Sequence, residues 1–222
     1  VYKNIDATAV QIGGTGHSVS LAGGLNNQGT ITVTANTGDS TGVLVGAGAT
    51  VPGIVNSGVI QSVSAGAEAN VAAGVLINQG ANVTSFTNSG TLSAGVNGSK
   101  SDAVALRDES GTLTSINNTG KIQAVISPEK DVAQTGSAIA VDVSANSTGV
   151  TLVQDGVVIP DHKLPDADKD GVPDINEPAI RGDIRLGSGA DVLDIRNGTV
   201  NGDISFGTGA DRLSISGGAV VT

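Results

Sequence analysis

The segment from Asp166 to Glu177 carries the most specific arrangement of possible metal ligands in this sequence. Asp occupies positions 1, 3, 5 and 9 of the twelve-residue stretch, Gly171 occupies position 6 and Glu position 12. This is the D-x-D-x-D-G-x5-E pattern, in which the glycine permits a sharp turn and the carboxylates converge on one hard cation. The sequence therefore predicts an EF-hand-like calcium site. Its predicted ligands are Asp166, Asp168, Asp170, the Val172 carbonyl, Asp174 and Glu177.

The surroundings of this acidic segment indicate which kind of calcium site it is. No amphipathic helix flanks it, which excludes a helix-loop-helix sensor. Pro165, Pro173 and Pro178 mark an irregular loop, for which a solvated acidic linker is the alternative interpretation. The loop resembles the isolated calcium loops of thrombospondin type 3 repeats and other extracellular modules. Such sites are weak and suit millimolar calcium, which favours an exported protein.

Residues for nucleophilic or acid–base catalysis are sparse. His17 and His162 are the two histidines, and each is expected to be an exposed turn residue. Gly187-Ser188-Gly189 does not have the spacing of a Gly-x-Ser-x-Gly nucleophile elbow, and no zinc or phosphate-loop pattern occurs. Sugar cleavage needs paired carboxylates and aromatic platforms, but the chain has one Tyr, two Phe and no Trp. The sequence therefore predicts a non-catalytic protein.

Two patterns recur along the chain with a common spacing, and they define the elements that must position the loop. The first reads apolar-x-Asn-x-Gly-x-apolar, and its glycines are 29, 32 and 30 residues apart at Gly29, Gly58, Gly90 and Gly120. The second, small-apolar-x-apolar, falls between copies of the first. Its copies begin at Ala9, Gly42, Gly74, Ala103 and Ala138. Two patterns with one period indicate an internal repeat.

Each repeat predicts strands and turns on stereochemical grounds. Alternation such as Ile31-x-Val33 places every second side chain on one face of a strand. Asn-x-Gly supplies a turn, because both residues tolerate left-handed backbone. A third, weaker strand is expected near Val19 and Leu21, Val83, Leu113, and Val150 with Leu152. Three strands per coil predict an all-β, right-handed parallel β-helix (β-solenoid) with one irregular calcium-binding loop. A β-sandwich is the alternative, but it would leave the even period unexplained.

The end of the chain repeats with a shorter period of 20 residues, so that Gly182-Asp183-Ile184 returns as Gly202-Asp203-Ile204. This predicts three segments: coils of about 30 residues in 1–157, the acidic loop in 158–180, and coils of 20 residues in 181–222. The stack is expected to continue beyond the given chain. Calcium in the loop is expected to fix the angle between the two coil segments.

A glycine–aspartate motif recurs within these shorter coils, as Gly187-x-Gly189-x-Asp191 and again 20 residues later. It resembles the calcium-binding nonapeptides of RTX proteins but lacks their doubled glycine. Turns in which the Asp caps backbone N–H groups are the favoured interpretation.

Composition excludes several classes of partner. The net charge of −10 and the pI of about 4.3 argue against binding nucleic acid or an anionic membrane surface, since both need clustered Lys and Arg. No run approaches the ~18 apolar residues of a membrane-spanning helix. The absence of Cys fits either a reduced cytosol or an export route that disulfides would obstruct.

The Asn-x-Gly repeats, followed by Gly-Asp-Ile and Gly-x-Gly-x-Asp-x-Leu coils, resemble passenger regions of bacterial autotransporters. This resemblance implies a secreted protein displayed at the outer membrane surface of a bacterium, and it brings no catalytic residue to this sequence. The expected function is a non-catalytic extracellular scaffold or adhesion module, stiffened by calcium. Expected partners are further copies of the chain, in a layer or filament, and a ligand on a host or neighbouring cell. A β-helical enzyme segment acting on polysaccharide or ester substrates is the alternative.

Overall fold

The computed structural model describes residues 4–66 and 69–222 of the chain. In this part the protein is 46% strand and 1% helix, in line with the lack of helical periodicity in the sequence. The strands form three seven-stranded parallel sheets and one two-stranded pair within the described ranges. Consecutive strands pass from one sheet to the next, so that each coil contributes one strand to each sheet. The all-β, parallel solenoid predicted from the repeats is confirmed.

Strands are numbered in chain order, and each sheet collects equivalent strands from successive coils. Sheet 1 contains β1 (Ala7–Ile12), β5 (Ser40–Val45), β9 (Val71–Ile77), β12 (Asp102–Asp108), β15 (Ala138–Asp142), β18 (Asp183–Arg185) and β21 (Ile204–Ser205). Sheet 2 contains β3 (Leu25–Asn27), β7 (Gly53–Asn56), β10 (Ser85–Asn88), β13 (Ser115–Asn118), β16 (Thr151–Gln154), β19 (Val192–Ile195) and β22 (Arg212–Ile215). Sheet 3 contains β4 (Thr30–Ala35), β8 (Val59–Ser64), β11 (Thr91–Val96), β14 (Lys121–Ile126), β17 (Ala179–Arg181), β20 (Thr199–Asn201) and β23 (Val220–Val221). The short pair is β2 (Val19–Ser20) with β6 (Ala49–Thr50), and the helical element is a 3-10 turn, η1 (Asp174–Asn176).

The core is a set of apolar ladders, one from each sheet, that meet inside the coils. Residues at equivalent positions pair across neighbouring strands, and the alternation along each strand turns them inward. The ladder of sheet 2 runs Leu25, Ile54, Phe86, Ile116, Leu152, Leu193 and Leu213. The ladder of sheet 3 runs Ile31, Ile60, Leu92, Ile122, Ile180, Val200 and Val221. Phe86, in the third coil, is the largest fully buried side chain among the residues that the structure describes.

A second, polar ladder is buried at the corner between sheets 2 and 3, where the Asn-x-Gly turns lie. Asn27 Nδ2 donates to Asn56 Oδ1 at 2.8 Å, and Asn56 Nδ2 donates to Asn88 Oδ1 at 2.8 Å. Asn88 continues to Asn118 at 2.9 Å, and Asn118 to Gln154 Oε1 at 3.0 Å. The repeated asparagine is therefore a turn residue and also a side-chain link between coils.

Two details differ from the sequence-based expectation. Val83 and Leu113 are buried but lie just before β10 and β13, so the third strand of these two coils is the one that ends at the repeated Asn. The strands expected near Val19 and Leu152 are present as β2 and β16. The small-apolar pattern is also displaced: Leu106, rather than Val104, pairs with Val75. Because strand side chains alternate with a period of two, a two-residue displacement keeps the same face inward and leaves the apolar pattern unchanged.

The two coil lengths form one continuous stack. Ile184 pairs with Ile204 and Leu193 with Leu213, which confirms the 20-residue offset. β16 pairs with both β13 and β19, so pairing passes the acidic loop without interruption. The boundaries 1–157, 158–180 and 181–222 stay a prediction, and residues 1–3 and 67–68 of the first segment lie outside the described residues. Among the described residues, no helix has the length and apolar character needed to cross a membrane.

Candidate metal centre

The acidic loop replaces the short turn between sheets 2 and 3 in the fifth coil. It leaves after β16 and returns to the stack at β17. Backbone hydrogen bonds fold it on itself: Ile159 N–H donates to the Gly171 carbonyl at 2.9 Å, and Asp174 N–H donates to the Pro165 carbonyl at 3.0 Å. The loop therefore projects from a continuous solenoid rather than joining two separate ones.

Three aspartates of the loop come together. Asp166, Asp168 and Asp170 each offer one carboxylate oxygen, and these oxygens lie within 4.8 Å of one another. Calcium ligands lie ~2.3–2.6 Å from the ion, so two oxygens on opposite sides of it are about 5 Å apart. The three carboxylates can thus contact one cation. Asp166 Oδ1 is buried without a hydrogen-bond partner in the described part of the chain, which leaves it free to bind a cation.

The backbone turns these carboxylates to one side. Lys169 and Gly171 have left-handed backbone, with φ of 62° and 88°. Gly171 N–H donates to Asp166 Oδ2 at 3.1 Å, and Val172 N–H donates to Asp170 Oδ1 at 2.7 Å. Burial by itself would raise the pKa of Asp166, but the backbone hydrogen bonds from Gly171 and Lys169 outweigh it and lower that pKa. The loop backbone therefore favours the ionised carboxylate that a metal requires.

Glu177, the predicted last ligand, lies in the electrostatic field of the cluster. Burial raises its pKa first, and the negative charges of Asp168, Asp174, Asp170 and Asp166 raise it further. Mutual repulsion among these acids is what a divalent cation would neutralise.

The other two predicted ligands have structural contacts of their own. Asp174 Oδ1 accepts a hydrogen bond from Ala167 N–H at 2.9 Å, which closes the loop across its width. The side chain of Val172 is buried, with 2% exposed, and packs over Gly156. The structure gathers Asp166, Asp168 and Asp170, whereas metal binding by the Val172 carbonyl, Asp174 and Glu177 stays a prediction.

Two residues from later coils reach the cluster, and neither was among the residues predicted from the sequence. The amide Nδ2 of Asn197, between β19 and β20, donates to Asp170 Oδ2. Asp168 Oδ2 lies against Gly218, where any Cβ would collide with it. In the sequence both look like ordinary turn residues, and only the stacking of the coils brings them to the loop.

His162 is not the exposed turn residue expected from the sequence, since it is partly buried. Its Nε2 lies 3.5 Å from Asp166 Oδ2, and its Nδ1 lies 3.1 Å from the Leu164 carbonyl oxygen. The side chain is only 11% exposed. His17 is exposed, as expected.

The Gly-x-Gly-x-Asp motifs have the backbone-capping role predicted for them. Asp191 Oδ1 accepts a hydrogen bond from Val150 N–H at 2.7 Å, and Asp211 Oδ1 accepts one from Asp191 N–H at 2.9 Å. Each carboxylate therefore caps the preceding coil and helps to hold the stack together.

The chain is thus a parallel β-solenoid that carries a cluster of three aspartates on an inserted loop. Comparisons of the chain with protein-family models, with curated proteins and with solved structures find no match.

Proposed function

We propose that this chain is a non-catalytic, extracellular scaffold: a right-handed β-solenoid of the autotransporter-passenger type, displayed on a bacterial surface and stiffened by calcium. The observation that carries the proposal is the cluster of Asp166, Asp168 and Asp170, folded against the coils that follow it. In this position a bound cation acts mechanically, because it holds an inserted loop to the body of the stack.

The ligand chemistry favours calcium among the common metals. The predicted ligands are oxygens only, which suits hard cations and is poor for zinc or copper. Mg²⁺ requires a stricter octahedral shell and keeps several waters, whereas Ca²⁺ accepts an irregular set of carboxylates and carbonyls. An irregular loop with three to five acids therefore fits calcium best.

Extracellular display follows from the affinity expected of such a site. Isolated calcium loops of extracellular modules bind with dissociation constants of about 10⁻⁴–10⁻³ M, so cytosolic calcium would leave this one largely empty. The net charge of −10 agrees with a well-solvated surface. In this setting the solenoid serves as an adhesin stalk or as a component of a layer or filament. Its partners are copies of itself and a ligand on a host or neighbouring cell.

Calcium titration by isothermal calorimetry tests the proposal. We expect saturable binding to the wild-type chain, in the range of about 10⁻⁴–10⁻³ M, and no saturable binding to Asp168→Ala or Asp170→Ala. Asp203→Ala is the matched control, since it removes the same charge from an exposed position just before β21. Absence of binding to the wild-type chain at several millimolar calcium would reject the calcium-stiffened scaffold.

A further inference from the structure

We infer that Asn197 is a further ligand of the cation held by the aspartate cluster, through its side-chain oxygen Oδ1. The inference rests on the proposed calcium site and extends it from the loop to the solenoid. Asn197 belongs to the turn between β19 and β20, so its coordination joins the loop of the fifth coil to the sixth coil through the metal.

The first observation is a buried oxygen without a partner. Asn197 is 4% exposed, and its Oδ1 has no hydrogen-bond partner within the described ranges. A buried amide oxygen left unpaired is energetically costly, so such atoms are rare unless a ligand completes them. The same amide group contacts Asp170 Oδ2 through Nδ2, which places it at the edge of the cluster.

Amide chemistry lets this one side chain serve two states of the site. Without a cation, the N–H side of the amide faces the carboxylate of Asp170 and offsets its charge. A half-turn about the Cβ–Cγ bond exchanges Oδ1 and Nδ2 within the same outline. With a cation present, the oxygen faces the cluster as a neutral ligand of the kind that calcium accepts from Asn side chains.

The solenoid holds Asn197 in place for this role. Gln154, the last amide of the buried polar ladder, donates from Nε2 to the Asn197 carbonyl oxygen at 3.0 Å. Gly156 leaves room for the amide, since a Cβ there would lie 2.8 Å from Asn197 Cγ and Nδ2. Hydrogen bonding to the backbone and packing around the amide fix the position of Asn197 before the metal arrives, so that only the amide group has to turn.

Calorimetric titration with CaCl₂ alone tests this role in the intact chain, with two variants at the position. Asn197→Ala removes the oxygen, and we expect affinity to fall by at least about tenfold, the loss typical of contacts that support a metal. Asn197→Asp restores an oxygen and should bind calcium at least as tightly as the wild type. Asn201→Ala is the matched control, since Asn201 is an exposed Asn in the same coil, and it should bind as the wild type does.

The outcomes separate this inference from the proposed function. No binding by the wild-type chain overturns both. Wild-type affinity in Asn197→Ala overturns only the ligand role and leaves the loop site intact. Weaker calcium binding by both Asn197→Ala and Asn197→Asp also overturns the ligand role, because that result identifies Asn197 as an N–H donor to Asp170 rather than as a ligand. If Asn197→Ala does not fold, as judged by circular dichroism without calcium, the comparison of Asn197→Asp with the wild type decides.

Discussion

Carboxylates in two environments dominate the chemistry at the scale of single residues. Asp191 is fully buried and accepts a hydrogen bond from Val150 N–H, yet its Oδ2 has no partner among the residues described. Burial raises the pKa of Asp191, the Val150 hydrogen bond opposes this, and the charge of Asp211 raises it further. The backbone N–H groups around Asp166 have the opposite net effect and lower its pKa. The loop backbone therefore stabilises the ionised form of Asp166, whereas the coil interior destabilises the ionised form of Asp191.

The raised pKa of Asp191 predicts a pH dependence of stability. A carboxyl group with a higher pKa in the folded chain binds more protons when folded, so its contribution to the free energy of unfolding falls as pH rises from the ordinary value of 3.8 through the raised value. Asp211→Asn keeps an acceptor for Asp191 N–H but removes the charge that raises this pKa. We expect the variant to be more stable than the wild type at pH 7, and the difference to disappear below the ordinary value.

Urea unfolding at a series of pH values, in EDTA and followed by circular dichroism, measures this difference. Asp203→Asn serves as the control, because Asp203 is exposed and no such buried acid depends on it. An Asp211→Asn variant that is less stable than the wild type at neutral pH would contradict the prediction.

The sequence predicts the aspartates of the site but not their neighbours from the coils. Asp166, Asp168 and Asp170 are close in sequence, so their spacing alone indicates convergence. Asn197 meets Asp170 from 27 residues away, and that contact depends on how far the loop folds over the sixth coil. No local pattern contains that information, since Asn197 followed by Gly198 has the appearance of any turn in the repeat.

At the scale of secondary-structure elements, the amide ladder is the feature on which neighbouring coils depend. Asn118 accepts from Asn88 at 2.9 Å and donates to Gln154 at 3.0 Å, and all three side chains are fully buried. Its neighbour Asn117 points out of the same strand and is exposed. The two residues therefore provide a matched pair for measuring what the ladder contributes.

We expect Asn118→Ala to lower the free energy of unfolding by about 2–3 kcal/mol, because it leaves buried polar groups of Asn88 and Gln154 without this partner. Asn117→Ala should change it by no more than about 0.5 kcal/mol, as is usual at exposed positions. Urea denaturation midpoints of the two variants give the comparison. Equal effects at both positions would show that the ladder does not stabilise the stack.

The strands were predictable because apolar alternation and Asn-x-Gly turns are both local signals. The exact register of sheet 1 was not predictable from the sequence. The segment Ala103-Val104-Ala105-Leu106 can pair with β9 in two registers that differ by two residues, and both bury the same face of the strand. The pairing of β12 with β9 in the neighbouring coil sets the register. Similarly, Val83 and Leu113 lie at buried corners, and the apolar pattern does not distinguish a corner from a short strand.

At the scale of the whole molecule, the solenoid is one stack of seven coils within the described residues, with the acidic loop at one corner. A parallel stack exposes strand edges at its ends and flat faces along its sides, both of which can pair with further copies. If calcium fixes the loop against the coils, the loop has the same conformation in every molecule, and so has the surface that it forms. Ordered self-association is then easier with calcium than without it.

We expect the particle mass to grow, and a regular layer or filament to form, when calcium is added. Light scattering coupled to size-exclusion chromatography, with negative-stain microscopy on the same samples, would measure this. Asp170→Ala, which lacks one of the three clustered carboxylates, should stay at its calcium-free size. A wild-type chain that remains monomeric at several millimolar calcium would rule out calcium-driven assembly.

The amide ladder also gives the stack a direction. From Asn27 through Asn118 to Gln154, every side-chain nitrogen donates toward the later coil, so the amide dipoles add along the axis. The later side of each coil in the ladder therefore presents an N–H donor to the next coil, and the earlier side presents a carbonyl oxygen to the coil before it. A coil shifted by one residue would turn its amide out of the corner. The ladder therefore disfavours a one-residue shift between neighbouring coils, since such a shift would break the amide hydrogen bonds on both sides of it.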